Sequence, residues 1–174
     1  LIICRCDECG TIQLTETLAP EVLFVDYVWV TGTSDGARDY SRVFCNQLIS
    51  RSGSGPLFVI EVASNDGTFL KRFVERGDRV LGVDPAQNIA AMAERDGVRT
   101  LPEFFGLEIA KNIVESEGKA DIVFARNVIP HVVRATDVVA GMAHCLTGEG
   151  VGAIEFHRAD VILEDLHYDS IYHE

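Results

Sequence analysis

The chain has 174 residues, 47% of them hydrophobic and 24% charged, with a formal net charge of −12. That length allows one domain with a real core plus a small appendage. So acidic a chain repels polyanions, so no nucleic-acid partner is expected. No apolar run reaches the ~18 residues that a membrane helix needs, and no membrane role is expected either. The five cysteines are an odd number, and the opening "LIICRCDECG" is apolar over too few positions for a secretory signal. Both features point to a reducing, cytoplasmic setting. The chain opens on Leu1 and stops at "IYHE" with no terminating pattern, so a piece of a longer protein is expected. The oligomeric state stays open, a monomer among the options.

Residues 1–17 read as a cysteine knuckle and a strand, in which Ile12 and Leu14 alternate with Thr11 and Gln13. Residues 18–35 read as irregular, with Phe24, Tyr27 and Trp29 ahead of "TGTSDG". Ala37, Tyr40, Val43, Phe44 and Leu48 fall near helical spacing and predict a helix over 36–51. Beyond the loop "RSGSGP", strands at 57–63, 79–85, 98–102, 120–128 and 151–157 alternate with helices at 67–77, 86–97, 106–118 and 134–150. A short helix follows at 159–166. Pro85 just ahead of the second of these helices, and Gly97 just past it, are the expected boundary residues. All the strands but 98–102 are nearly continuous apolar runs, the mark of strands covered on both faces. The fold class is therefore α/β: a Rossmann-like, doubly wound, mostly parallel sheet. Ligands bind such sheets beyond the carboxyl ends of the strands, at the switch point.

"EVASNDGTFL" (61–70) ends the first of these strands. It has one glycine where the dinucleotide fingerprint needs three. A pyrophosphate requires that close backbone approach; a zwitterionic amino-acid tail does not. Glu61, Asn65 and Asp66 are the candidates to hold its ammonium group, beside the small Ala63. Gly67 opens a helix whose free N–H groups favour an anion. The plain alternative is a capped turn, with Asn65 and Asp66 as caps. Asp84, with Pro85 behind it, ends the second strand about 20 residues on, where a carboxylate accepts both ribose hydroxyls. Capping the next helix is its competing role. Turn and acid together favour an adenosine cofactor, and the missing glycines favour S-adenosylmethionine over NAD. Phe104 and Phe105, after the third strand, are candidates to pack on the adenine or else belong to the core. Asn127 and His131, in "ARNVIPHV", border cofactor and substrate, and His131 suits acid–base work near neutral pH. Glu155 and His157 reach the same region by position alone. Tyr172, His173 and Glu174 gather three proton-handling groups at the end of the chain. Cys6 and Cys9 form one C-x-x-C, closed by Gly10, which is half of the four ligands of a structural zinc site.

The segments "RCDECGTIQL", "DYVWVTGTS", "EVASNDGTFL", "VLGVDPAQNIA", "TLPEFFG", "ADIVFARNVIPHV" and "IYHE" occur in the same order in S-adenosylmethionine-dependent sugar C-methyltransferases, which this chain resembles over nearly its whole length. These enzymes act on nucleotide-linked 4-keto deoxysugars. The resemblance implies that residues 1–35 are the remnant of an N-terminal zinc-binding region that contacts substrate. It implies further that 36–158 are the S-adenosylmethionine-binding domain and that 159–174 lead to a C-terminal domain. Cys6 and Cys9 then match the second cysteine pair of a four-cysteine zinc site. The implied partner is a nucleotide-linked sugar. The 4-keto group acidifies C3–H, a base forms the enolate, and C3 attacks the sulfonium methyl in line, leaving S-adenosylhomocysteine. His131 would donate to the enolate oxygen or relay the proton. Tyr172 and Glu174 would position the family's final His, which follows Glu174 in its pattern, and Tyr27 would reach the sugar. A methyltransferase acting on oxygen or nitrogen and a non-catalytic cofactor-binding fragment are the alternatives, with a dehydrogenase a distant third.

Overall fold

A strand with apolar residues on both faces must be covered on both, and the central strand of this chain is. β3 (Phe58–Val62) is buried at every position. The computed structural model describes residues 2–167. Among them β3 stands in a five-stranded sheet with β4 (Arg79–Val83), β5 (Thr100–Leu101), β6 (Ala120–Arg126) and β7 (Leu146–Glu155), in the order β5-β4-β3-β6-β7. Every neighbouring pair is parallel. The chain winds outward from β3 to β5, returns, and winds the other way through β6 and β7. The switch point therefore lies between β3 and β6, as the sequence predicts for this fold class.

Helices cover both faces. On one, Phe58, Ile60 and Val62 of β3 and Val123 and Ala125 of β6 pack on α5 (Leu107–Glu117) and α6 (Ala135–Cys145). On the other, Val59, Ile122 and Phe124 pack on α2 (Asp35–Ser52) and α3 (Leu70–Arg76). α4 (Gln87–Arg95) follows β4 and buries Ile89, Ala90 and Ala93. Short α7 (Ala159–Glu164) closes the described part of the chain. The period-2 alternation of β3 and β6 has one consequence for function. Glu61 is the register partner of Phe124, so it points to the α2–α3 face, and Arg126, two residues after Phe124, does the same.

Several boundaries differ from expectation. The glycines of "LTGEG" do not stop a helix: α6 ends at Cys145 and β7 already starts at Leu146. Leu146 pairs with Ala120 and Val151 with Ile122, so the intervening residues make a bulge. Gly150 sits closely there: a Cβ would stand 2.9 Å from Leu146 Cδ2 and 3.1 Å from the Ala120 carbonyl oxygen. β7 is the sheet's edge among the described residues and is only partly buried, with Ile154 exposed. Its apolar run does not mean cover on both faces. Residues 18–35 are not wholly irregular, for they contain the helical turn α1 (Pro20–Phe24) and a 3₁₀ turn at Thr31–Thr33. The strand expected at 98–102 is two residues long. The knuckle is a hairpin of β1 (Ile3–Arg5) and β2 (Ile12–Leu14), Cys4 opposite Gln13. No helix among the described residues is long and apolar enough to cross a membrane.

Candidate functional site

The turn after β3 is backbone under strain. Ala63 has φ 52° and Asn65 φ 50°, and Asn127, at the matching turn after β6, has φ 51°. Left-handed φ in residues other than glycine is costly and clusters where structure over-determines it. Here the strand ladders do so. The Ala63 and Ser64 N–H groups both donate to the Val83 carbonyl, at 2.7 and 3.3 Å, and the Asn127 N–H donates to the Glu155 carbonyl at 2.8 Å. Asp84 ties the turns of β3 and β4 together. Its Oδ2 accepts from the Asn65 N–H at 2.7 Å and its Oδ1 from the Ala86 N–H at 2.9 Å. Gly67 (φ 75°) lies so close to Val98 that a Cβ would stand 2.9 Å from its side chain. The glycine serves packing as well as the turn, and α3 starts only at Leu70.

Beyond these strand ends lies a cavity of about 700 Å³, large enough for a cofactor and part of a second ligand. Glu61, Ala63, Asn65, Asp84, Pro85 and Asn127 line its strand-end side, and Phe104 and Phe105 stand behind β5. Phe24, Tyr27 and Trp29 face them from the N-terminal segment, and His131 stands at the seam. Its imidazole lies 6.1 Å from the Phe24 ring, which is 5.7 Å from that of Tyr27.

The floor carries charge out of water. Glu61 is only 2% exposed, and its Oε2 is buried without a hydrogen-bond partner. Burial pushes its carboxyl well above the usual range, and the Arg126 guanidinium opposes that shift only in part. The Arg126 guanidinium carbon stands over the Phe69 ring, 3.3 Å from its centroid, and the side chain pairs with Glu155 at 3.1 Å. Glu155 in turn accepts from the Tyr40 hydroxyl at 2.6 Å. Burial also raises the Asp84 carboxyl, against the pull of its two N–H donors. A buried carboxylate with an orphaned oxygen at a cavity wall calls for a cationic or donor ligand. The remaining lone pairs of Asp84 suit hydroxyl donors.

The expected residues divide into groups. Glu61, Ala63, Asn65, Asp84, Pro85, Phe104, Phe105, Asn127, His131 and Tyr27 share the cavity. Asp66 and Gly67 are not in its lining. Asp66 instead accepts from the Gly32 N–H at 2.9 Å and from Thr68 N–H and Oγ1–H at 3.2 and 2.8 Å. The Asn65 amide, for its part, bonds the backbone of Trp29 and Thr31. These side chains grip the N-terminal segment, where an ammonium-holding role was expected of them. Tyr172 and Glu174 lie outside the described residues. Cys6 and Cys9 sit in the hairpin, with the Cys9 thiol 3.1 Å from the Thr11 hydroxyl. Among the described residues no group of three or more His, Cys, Asp or Glu could hold a metal ion. Two thiols do not make a four-ligand zinc site, so the residues present do not fit zinc by themselves. Glu155 pairs with Arg126 and is not in the cavity lining. Sequence reasoning passed over Arg126, although a charge closing the apolar run "DIVFA" was a visible signal. It also gave no role to Trp29 or Asn88.

The family profile described as "Methyltransferase domain" matches residues 60–154, more than half of the chain. The chain belongs to the methyltransferase domain family. Its curated relative C-methyltransferase NovU of Streptomyces niveus is 31% identical over 176 aligned residues, covering 100% of this chain and 41% of NovU. The chain thus spans less than half the length of that relative. Among solved structures, the plantazolicin methyltransferase BpumL, in complex with a pentazolic desmethylPZN analog and SAH, superposes with a TM-score of 0.63 at 13% identity, over 81% of this chain and 59% of that one. CalS10 of Micromonospora echinaspora gives a TM-score of 0.55 at 17% identity, over 71% and 52%. Such distant likenesses speak for the fold of the methyltransferase domain, which matches in its parallel sheet.

Proposed function

We propose that this methyltransferase domain binds S-adenosylmethionine and belongs to a C-methyltransferase of nucleotide-linked 4-keto deoxysugars. The observation that carries the cofactor is the buried, unpartnered Oε2 of Glu61 in the cavity wall. An α-ammonium supplies the charge and donors that oxygen lacks, with Arg126 behind it as a counter-charge. The two-turn clamp at Asp84 leaves lone pairs for the ribose hydroxyls, and Phe104 and Phe105 offer apolar faces to the adenine. C-methylation is supported by the likeness to NovU along the whole chain.

When bound, S-adenosylmethionine supplies an electrophilic methyl group on a sulfonium. The chain's own residues align and stabilise. His131, at the seam of the cavity, donates to the enolate oxygen that forms when a base takes the C3 proton of the ketosugar. Tyr27 faces the sugar from the opposite side. Tyr172 and Glu174 are proposed to orient the base in the full-length protein. We assign 1–35 to a substrate-contacting region with half of a zinc site at Cys6 and Cys9, 36–158 to cofactor binding and 159–174 to a linker. Calorimetric titration of the folded chain with S-adenosylhomocysteine, with NAD as control, tests the cofactor. Micromolar binding of the first and none of the second is expected, and the reverse overturns the reading. Transfer of a labelled methyl group by the full-length protein to carbon of a 4-keto sugar nucleotide tests the acceptor. Transfer to oxygen or nitrogen would replace it.

A further inference from the structure

Residues 25–32 cross the mouth of the cavity from the β4–α4 turn to the β3–α3 turn, and side-chain amides hold them there. Asn88, in the first turn of α4, makes two bonds to one residue: its Oδ1 accepts from the Tyr27 N–H at 3.1 Å and its Nδ2 donates to the Tyr27 carbonyl at 2.8 Å. Beside it the Gln87 N–H donates to the Val25 carbonyl at 3.2 Å. At the other end Asn65 repeats the pattern. Its Nδ2 donates to the Trp29 carbonyl at 3.0 Å and its Oδ1 accepts from the Thr31 N–H at 2.8 Å. A primary amide offers a donor and an acceptor side by side, as a neighbouring strand does. Gly32 lets the segment come close: a Cβ there would lie 2.4 Å from Asp66 Oδ2 and 2.6 Å from Thr68 Oγ1.

What is missing beneath the segment matters as much. No residue from 18 to 34 is buried, and Val28 and Trp29 are 95% and 58% exposed. Apolar burial therefore fixes it only in part, through half-buried Tyr27 and Val30, and hydrogen bonds that water can replace are individually weak. Segments of this kind open at low cost. Both amides also hang from one carboxylate. Asp84 takes the N–H of Asn65 on one oxygen and that of Ala86, at the head of α4, on the other.

We propose that residues 25–32 are a strap that closes over the bound cofactor, and that Asn65 and Asn88 are positioning residues that set its closure. The proposal rests on the cavity being the S-adenosylmethionine site. A ligand that engages Asp84 steadies both turns, hence both amides, hence the strap. Closure presents Tyr27 to the cavity, so cofactor binding and completion of the acceptor wall become one event. Asn65 and Asn88 then govern how long the cofactor stays and leave the methyl-transfer chemistry to others.

The chain has a single tryptophan, Trp29, so its fluorescence reports the strap and nothing else. The experiment combines acrylamide quenching of Trp29, with and without S-adenosylhomocysteine, and stopped-flow dissociation of that ligand from the 174-residue chain and its Asn88→Ala variant. Calorimetry of both runs alongside. The ligand is expected to shield Trp29 in the wild type. Asn88→Ala should abolish the shielding and speed dissociation by about tenfold, with little change in the association rate and in the ligand-free melting temperature. Gly32→Ala, which displaces Asp66 from the strap side, should do the same and serves if Asn88→Ala does not fold. Calorimetric binding without shielding, or with dissociation unchanged in both variants, overturns the strap and leaves the cofactor reading standing. A variant that loses ligand-free stability in step with affinity overturns it as well, since the amides would then be ordinary structural bonds. Absence of binding by the folded wild type overturns both.

Discussion

The two sides of the cavity are built on opposite principles. The floor comes from the ends of β3, β4 and β6, backed by a core in which Val59, Ile60, Val83, Ile122 and Phe124 are wholly buried. The facing segment, residues 20–34, has no fully buried residue and is held largely by side-chain amides. Strain and a buried carboxyl oxygen without a hydrogen-bond partner are found on the floor, at Ala63, Asn65 and Glu61, because only a packed scaffold can hold them against relaxation. Groups that act on chemistry or charge belong on such a floor, and groups that come and go with ligand belong opposite. Substitutions on the two sides should accordingly fail in different ways.

The largest effect is expected at the seam. His131→Ala in the full-length protein should cut turnover by about 10²–10⁴-fold, the range for a lost proton-handling group, with S-adenosylhomocysteine affinity nearly intact. Turnover assays paired with calorimetry check this, and unchanged turnover removes His131 from the mechanism. Glu61→Gln comes next and should move two quantities in opposite directions. Affinity for S-adenosylhomocysteine should fall by about 1.5–3 kcal/mol, the worth of a hydrogen bond to a charged group. Stability of the ligand-free chain should rise at neutral pH. Burial raises the carboxyl of Glu61 in the folded state, so its contribution is fully present below the ordinary carboxylate range and is lost as pH rises toward the raised value. Glutamine removes that loss. The same linkage makes ligand affinity grow with pH across this window, because the ammonium needs the carboxylate form. Thermal melts and titrations from acid to neutral pH read both signs.

Asp84→Asn sharpens the contrast between two buried acids. Glu61 Oε2 has no donor to offend, whereas both oxygens of Asp84 accept backbone N–H groups. An asparagine there must point its NH₂ at one of them. Both stability and affinity should therefore fall, the affinity by about 1–3 kcal/mol, and a stabilised Asp84→Asn chain would show that the clamp carries no weight.

How much of this is legible in the sequence depends on what holds each part. Buried parallel strands announce themselves, so β3, β4 and β6 fall where the apolar runs put them, and with them the cavity and the strand-end part of its lining. "LTGEG" misleads because glycines that end a helix and glycines that make a bulge look alike until β6 is beside them. Asn65 and Asp66 read as ligand-holding groups because their types suit that task. Which backbone approaches them is settled only by tertiary structure, when Gly32 comes within reach. Asn88 is invisible for the same reason. Arg126 was readable, as the charge that ends the apolar run of β6.

The smallest effect bears on the rigidity of the floor itself. Ala63 holds φ 52° while its N–H continues the pairing with β4. Left-handed geometry costs an alanine roughly 1–2 kcal/mol, and Ala63→Gly relieves it, yet glycine also gives the unfolded chain about 0.4–1 kcal/mol of extra freedom. The second offsets part of the first, so the melting temperature should move by no more than a few degrees. Affinity is the informative quantity. If the ladder and the Asp84 clamp alone fix the turn, S-adenosylhomocysteine binding to Ala63→Gly stays within about twofold of wild type, because Glu61 and Asn65 keep their places. If the alanine methyl limits the turn's excursions, binding weakens with stability unchanged, as ordering a loosened turn is then charged to the ligand. Only the first outcome is compatible with a floor whose geometry is set before any ligand arrives and a strap that responds to it.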